Sequence, residues 1–259
     1  MLSKKLEKIK VLVTRPVHQS ENLCQLIKAE SGKPIRLPVI EIAEIADNSD
    51  LLDCRVSLKK LDIAIFISAN AVEKTLPFLL ENGNLPSKLQ LIAVGKKTAK
   101  TIKKYGLLAL CSVPPFNSET VLAMPQLQKK AVQDKQIVIF RGEGGRELLA
   151  ETLRQRDAIV KYVNVYRRIQ PPVPSWIVGT KIDVITLTSV EGLQNLFAML
   201  EGQSWLQKTP LVVMSERIKA EAQKLGVQAP IFVAETASDE GLLSGILQTQ
   251  YEKHIANTL

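Results

Sequence analysis

The chain has 259 residues, of which 46% are hydrophobic and 23% charged, and its net charge is +8. That length suits one large domain or two ordinary ones. No run approaches the roughly 18–20 apolar residues of a membrane helix, and the start, MLSKKLEKIKVLV, lacks the apolar stretch and cleavage site of a signal peptide. A cytoplasmic protein without membrane association is expected.

Cys24, Cys54 and Cys111 are far apart with no CxxC, and the two histidines, His18 and His254, lie at opposite ends of the chain. A disulfide framework or a metal site is not expected, and histidine-based acid/base chemistry is disfavoured. The positive balance calls for an anionic partner. The lysines are spread over 4–10, 96–104 and 129–135 without interleaved aromatics, and aromatics make up only 5% of the chain. Nucleic acid is one candidate, but a stacking platform for it is poorly supplied, and a small polyanion fits at least as well.

In chain order, KVLVTRP (10–16) reads as a strand, and Leu23, Leu26 and Ile27 follow at helical spacing. LPVIEIAE (37–44) is extended. DIAIFIS (62–68) is an apolar strand before AVEKTLPFLLENG, and LIAVG (91–95) leads into KKTAKTIKKYG, where Gly106 is a helix stop. IVIFRG (137–142) enters a glycine-rich turn before the helical pattern RELLAETLRQR. NVYRRIQPPVP (164–174) is extended because its prolines disfavour helix. DVITLTS (183–189), LVVMS (211–215) and IFVAE (231–235) each precede another helical pattern. This alternation predicts parallel βαβ units.

The order recurs. A slide of 121 lays 62–79 on 183–200, pairing Asp62 with Asp183 and Ser68 with Ser189. A slide of 120 lays 91–106 on 211–226 and NSETVL (117–122) on ASDEGL (237–242), and a slide of 126 lays VLVTR (11–15) on IVIFR (137–141). The blocks come in rotated order, so two copies of one α/β unit are read, one inserted in the other. Residues 1–36 with 171–259 form the first domain and 39–167 the second, with crossing linkers at 37–44 and 164–174. The predicted fold class is α/β, two similar doubly wound parallel-sheet domains joined by a two-stranded linker, with a ligand cleft between them.

Small or hydroxyl residues close nearly every strand and open the next helix. They are Thr14, Arg15 and Pro16; Ser68, Ala69 and Asn70; Gly95 with Thr98; Gly142 to Gly145; Ser189; Ser215; and Ser238. Helix starts expose N–H groups and a dipole end worth only about 0.3–1 kcal/mol each toward an exposed charge, so their number carries the argument. Plain N-capping accounts for any single one. A dinucleotide fingerprint starting at Gly142 would need glycine at Glu147, and no P-loop or G-x-S-x-G elbow occurs.

VTRP (13–16), LPVIEI (37–42), FISANAVE (66–73), AVGKKTAKTIKKYG (93–106), VYRR (165–168), LTSVEGL (187–193) and VAETASDEGLL (233–243) together span almost the whole chain. In that order they resemble the uroporphyrinogen-III synthase family. The resemblance implies two α/β domains on a two-stranded ladder, acting without metal or cofactor. The implied substrate is hydroxymethylbilane, a linear tetrapyrrole with two carboxylates on each of four rings, closed to uroporphyrinogen III with inversion of ring D and loss of water. Tyr166 matches the family's candidate proton donor. Arg15, Ser68, Ala69, Asn70, Gly95, Thr98, Gly142, Ser189, Ser215 and Ser238 are the expected substrate-binding positions, with Arg15 either pairing a carboxylate or bracing the crossing. Ile218 stands where the first copy has Thr98, so that hydroxyl is missing from the second copy. A monomer is expected, and the resemblance allows transient contact with hydroxymethylbilane synthase. The alternative is a two-lobed small-anion or nucleotide-binding α/β protein without this activity.

Overall fold

In the computed structural model, which describes residues 5–46 and 48–256, the apolar runs of the alternating pattern are strands and the segments after them are helices. The side chains from 253 onward, His254 among them, lie outside the described residues. The chain divides into two units, one made of the stretch up to Glu41 with that from Ile169 onward, the other of Ile42–Arg168.

In the first unit, β1 (Lys10–Val13), α1 (Val17–Ala29) and β2 (Lys33–Arg36) open the chain. The second unit follows with β3 (Glu41–Ala43), α2 (Ser49–Val56), β4 (Ile63–Phe66), α3 (Ala69–Leu80), β5 (Gln90–Ala93) and α4 (Lys96–Lys103). It continues through β6 (Leu110–Cys111), α5 (Ser118–Leu122), α6 (Lys129–Val132), β7 (Gln136–Gly142), α7 (Leu148–Gln155) and β8 (Ile159–Ile169). The chain then returns to the first unit with β9 (Val184–Leu187), α8 (Val190–Met199), α9 (Trp205–Lys208), β10 (Leu211–Val213), α10 (Glu216–Lys224), β11 (Ile231–Val233) and α11 (Asp239–Ala256).

The first sheet runs β11-β10-β9-β1-β2 and the second β3-β8-β7-β4-β5-β6. Every pairing in the first sheet is parallel, as are those from β8 to β6 in the second. Leaving out β3, the two orders coincide when β1 is read as β7, β2 as β8, β9 as β4, β10 as β5 and β11 as β6. That is the rotated repeat read from the sequence, now expressed as topology. Residues 164–169, expected within the return linker, are the second half of the long strand β8.

Side chains on successive strand residues point to opposite faces, so each sheet has an apolar layer on both sides. Leu12, Ile185 and Leu187 pack under α8 and α10, while Val11, Val13 and Val184 pack with Leu23, Ile27, Leu242 and Ile246 of α1 and α11. In the second unit Phe66 and Phe140, paired in register, stack with ring centroids 5.0 Å apart on one face. Ile65 and Ile139 fill the other. Burying each such side chain stabilises the fold by about 1.5–3 kcal/mol.

The matched aspartates make the same device in both sheets. Asp183 Oδ2 accepts the Lys10 N–H at 2.9 Å while its own N–H donates to the Lys10 carbonyl. Asp62 does the same with Gln136, accepting its N–H at 2.9 Å. Each aspartate extends the ladder one step past the strand start, pinning register between neighbours remote in sequence. Asp183→Ala would leave the Lys10 N–H without its acceptor and should cost about 1–3 kcal/mol, read as a lower urea midpoint, with Asp183→Asn milder. An unchanged midpoint in the alanine variant would show that the clamp contributes nothing.

Candidate active site

Parallel strands bring all their carboxyl ends, and hence the starts of the following helices, to one end of a sheet. In the second unit β8, β7, β4 and β5 are neighbours, so Tyr166, Gly142, Ser68 and Gly95 come from adjacent strands. Ala69 and Asn70 form the first turn of α3, and Gly95 is the N-cap of α4, with Thr98 buried in its first turn.

The centre of this end is an irregularity. β7 and β8 stay in step to Arg141 opposite Asn164, and then the register shifts so that Gly142 lies opposite Tyr166. Strict alternation would put Tyr166 on the face of Tyr162 and Asn164. The bulge turns it to the face of Val163 and Val165, into the core with Phe66 and Phe140. There the ring lies against the backbone of Gly142, where an added Cβ would sit 2.5 Å from Cε2 and 2.6 Å from Cζ. Only glycine fits.

Tyr166 is 3% exposed, and its Oη lies 3.1 Å from Ser68 Oγ. Ser68 Oγ also accepts the Ala71 N–H at 3.1 Å, capping α3. The serine is thus both cap and partner of the phenol.

Beyond Gly142 the chain makes an open loop, with Gly144 and Gly145 at φ 77° and 104°, values that favour glycine. The helix expected from Arg146 begins at Leu148. Loop and strand ends enclose a cavity of ≈ 240 Å³ bordered by Arg141, Arg146, Arg168, Tyr162 and Tyr166. Burial pushes the Tyr162 phenol above its ordinary value, so this ring stays neutral beside the guanidinium of Arg141.

In the first unit, Ser189 caps α8 by accepting the Gly192 N–H at 2.9 Å, and Ser238 accepts the Gly241 N–H at 3.1 Å at the start of α11. Ser215 is the N-cap of α10 but makes no side-chain cap. Arg15 is not an open cation, because Nη1 pairs with Asp239 Oδ1 and Nη2 lies 3.7 Å from Met214 Sδ. It ties the end of β1 to the start of α11. Ser118, matched to Ser238 in the repeat, is not the cap of its helix. Asn117 takes that part in a capping box with Thr120.

The Uroporphyrinogen-III synthase HemD family model matches residues 21–244. The chain belongs to the uroporphyrinogen-III synthase family. It is similar to the uroporphyrinogen-III synthase of Salmonella typhimurium, 30% identical over 91% of this chain and 99% of that one. The enzyme of the same name from Escherichia coli is 29% identical with the same coverage. Among solved structures, uroporphyrinogen-III synthetase from Helicobacter pylori superposes with a TM-score of 0.62 at 16% identity, covering 93% of this chain and 99% of that one. A mutant synthase from Thermus thermophilus gives 0.58 at 14% identity, covering 95% and 99%. The last two likenesses bear out the α/β fold.

The activity is therefore that of a uroporphyrinogen-III synthase, an enzyme of tetrapyrrole biosynthesis acting on a small molecule. Among the described residues no helix is long and apolar enough to cross a membrane.

Arg141, Tyr162 and Asn164, not among the expected binding positions, stand together at this end of the sheet. The alternation in YVNVY already placed Tyr162 and Asn164 on one face, and the slide by 126 had singled out Arg141. Gly142→Ala should displace the Tyr166 ring, costing about 1–3 kcal/mol of stability by overpacking and lowering turnover with it. Thermal melting and steady-state rates on the same preparation check both effects.

Proposed function

We propose that this chain closes hydroxymethylbilane to uroporphyrinogen III, with Tyr166 donating the proton that lets the terminal hydroxyl leave as water. The observation that carries the reading is the phenol itself, turned by a bulge and held 3.1 Å from Ser68 Oγ at the wall of a cavity bordered by three arginines. Phenols are protonated at neutral pH and can act as general acids. The electron-rich pyrroles expel the hydroxyl largely by themselves, giving an azafulvene. Attack at the substituted position of ring D, fragmentation and reclosure then invert that ring. The enzyme's main task is to hold the rings so that this spiro route outruns direct closure.

Ser68, Ala69, Asn70, Gly95, Thr98 and Gly142 in one unit, and Ser189, Ser215 and Ser238 in the other, are proposed to hold substrate carboxylates. The Oγ atoms of Ser68, Ser189 and Ser238 already serve as caps, so first-turn N–H groups are the main donors they present. Arg15 contributes by bracing the start of α11, since Asp239 occupies its guanidinium. Action as a monomer in the cytoplasm belongs to the same proposal.

With freshly made hydroxymethylbilane, the protein should shift the product from isomer I to isomer III, whereas isomer I alone would overturn the reading. Tyr166→Phe should lower kcat about 10²-fold or more if the phenol is the proton donor. A wild-type kcat would assign that proton elsewhere.

The excess charge has a location that fits a many-carboxylate substrate. Lys96, Lys97, Lys100, Lys103 and Lys104, in and just after α4, are exposed, and none is in an ion pair among the described residues. The matching helix α10 mixes signs, with Glu216, Arg217, Lys219, Glu221 and Lys224. Replacing Lys96, Lys97 and Lys100 together by Gln should raise KM severalfold at low ionic strength. The difference should shrink near ~0.5 M salt, where screening acts within about 4–5 Å.

A further inference from the structure

Arg141 and Arg15 occupy matched positions at the ends of matched strands, β7 and β1, yet their surroundings differ. Arg15 has a partner at each of its two terminal nitrogens. Asp239 is only 13% exposed and is itself held by Asn22 Nδ2 at 2.9 Å, and Met214 takes another guanidinium edge.

Arg141 is fixed just as firmly but left incomplete. Its Nε donates to Asn164 Oδ1 at 3.1 Å, and its guanidinium lies 3.6 Å from the centre of the Tyr162 ring. These two contacts set the plane of the group without help from any acid. Nη2 meets Glu147 Oε1 at 2.9 Å, while Nη1 is buried without a hydrogen-bond partner among the described residues. A guanidinium normally grips a carboxylate through two parallel N–H···O bonds, and Glu147 uses one. Glu147 is 47% exposed and makes no side-chain cap to α7. It follows a loop in which Gly144 and Gly145 hold positive φ. Arg141 itself borders the cavity beside Tyr166.

We infer that Glu147 is a displaceable placeholder, and that Arg141 takes a carboxylate of the tetrapyrrole in its stead through both Nη atoms. A buried N–H donor left without an acceptor is costly, and a second acceptor at Nη1 would remove that cost. The exchange moves no covalent bond. One carboxylate leaves the guanidinium for water and another, carried on the substrate, replaces it. The inference rests on the cavity beside Tyr166 being where the substrate reacts.

Steady-state kinetics on hydroxymethylbilane test it with Glu147→Gln, Arg141→Gln and the double variant, each checked for folding by thermal melting. Removing the competing carboxylate should lower KM about two- to fivefold, and removing the guanidinium should raise it about tenfold. In the Arg141→Gln background, Glu147→Gln should have no further effect on KM. If Arg141→Gln does not fold, Arg141→Lys keeps the charge without the fork and should still raise KM while abolishing the benefit of Glu147→Gln. An unchanged or raised KM in Glu147→Gln overturns the inference, because a loop staple would then be the whole role of the pair. The readout is a KM pattern, whereas the proton-donor reading of Tyr166 stands on kcat, so either can fail without the other.

Discussion

The contact between the Tyr166 ring and the backbone of Gly142 is what the carboxyl end of the second unit's sheet is built around. A bulge one residue deep puts two residues of β8 against one of β7 and so brings the tyrosine to the Ser68 side of the sheet. Without glycine at 142 the ring would have no room, and without the bulge it would face Tyr162 and Asn164. Both features are local, yet they fix a phenol between the start of α3 and the loop before α7. The stacked pair Phe66 and Phe140 beneath supplies a rigid floor, since these rings are fully buried and interlocked across adjacent strands.

The internal repeat explains how one chain makes two sheet ends of the same kind and then gives them different chemistry. Topology, the aspartate clamps and two of the serine caps are common to both units. The differences sit on that frame. One strand-end arginine is closed off by a mostly covered acid and the other stands beside an exposed one, and one helix is uniformly basic while its counterpart is mixed. The two copies share what holds the sheet and differ in the charged groups at its carboxyl end.

Much of this was legible in the sequence. Short continuous apolar runs followed by helical spacing gave the βαβ order, and the matched Asp62 and Asp183 marked equivalent strand starts. The rotated order of blocks implied insertion of one unit into the other. The bulge was not legible, because YVNVYRR alternates cleanly through Tyr166 and nothing local marks a skipped residue. The caps were partly so. Ser68, Ser189 and Ser238 cap as their residue type suggests, but Asn117 and not its neighbour Ser118 caps α5, since both are good capping residues and only backbone geometry chooses. Arg15 and Arg141 looked alike in the repeat because their partners, Asp239 at the start of α11 and Glu147 just before α7, come from unmatched places in it.

A reaction that loses only water leaves the product with every carboxylate the substrate had. Strong, permanent grips on those carboxylates would hold substrate and product alike, lowering KM without speeding the chemistry and slowing release. Many weak donors are better suited, and helix starts worth about 0.3–1 kcal/mol each are of that kind. An arginine with its full fork open would break the pattern by binding too well. A half-exposed glutamate competing for it would temper that grip for both species, while leaving the guanidinium plane, set by Asn164 and Tyr162, ready for the one carboxylate that arrives attached to the right ring.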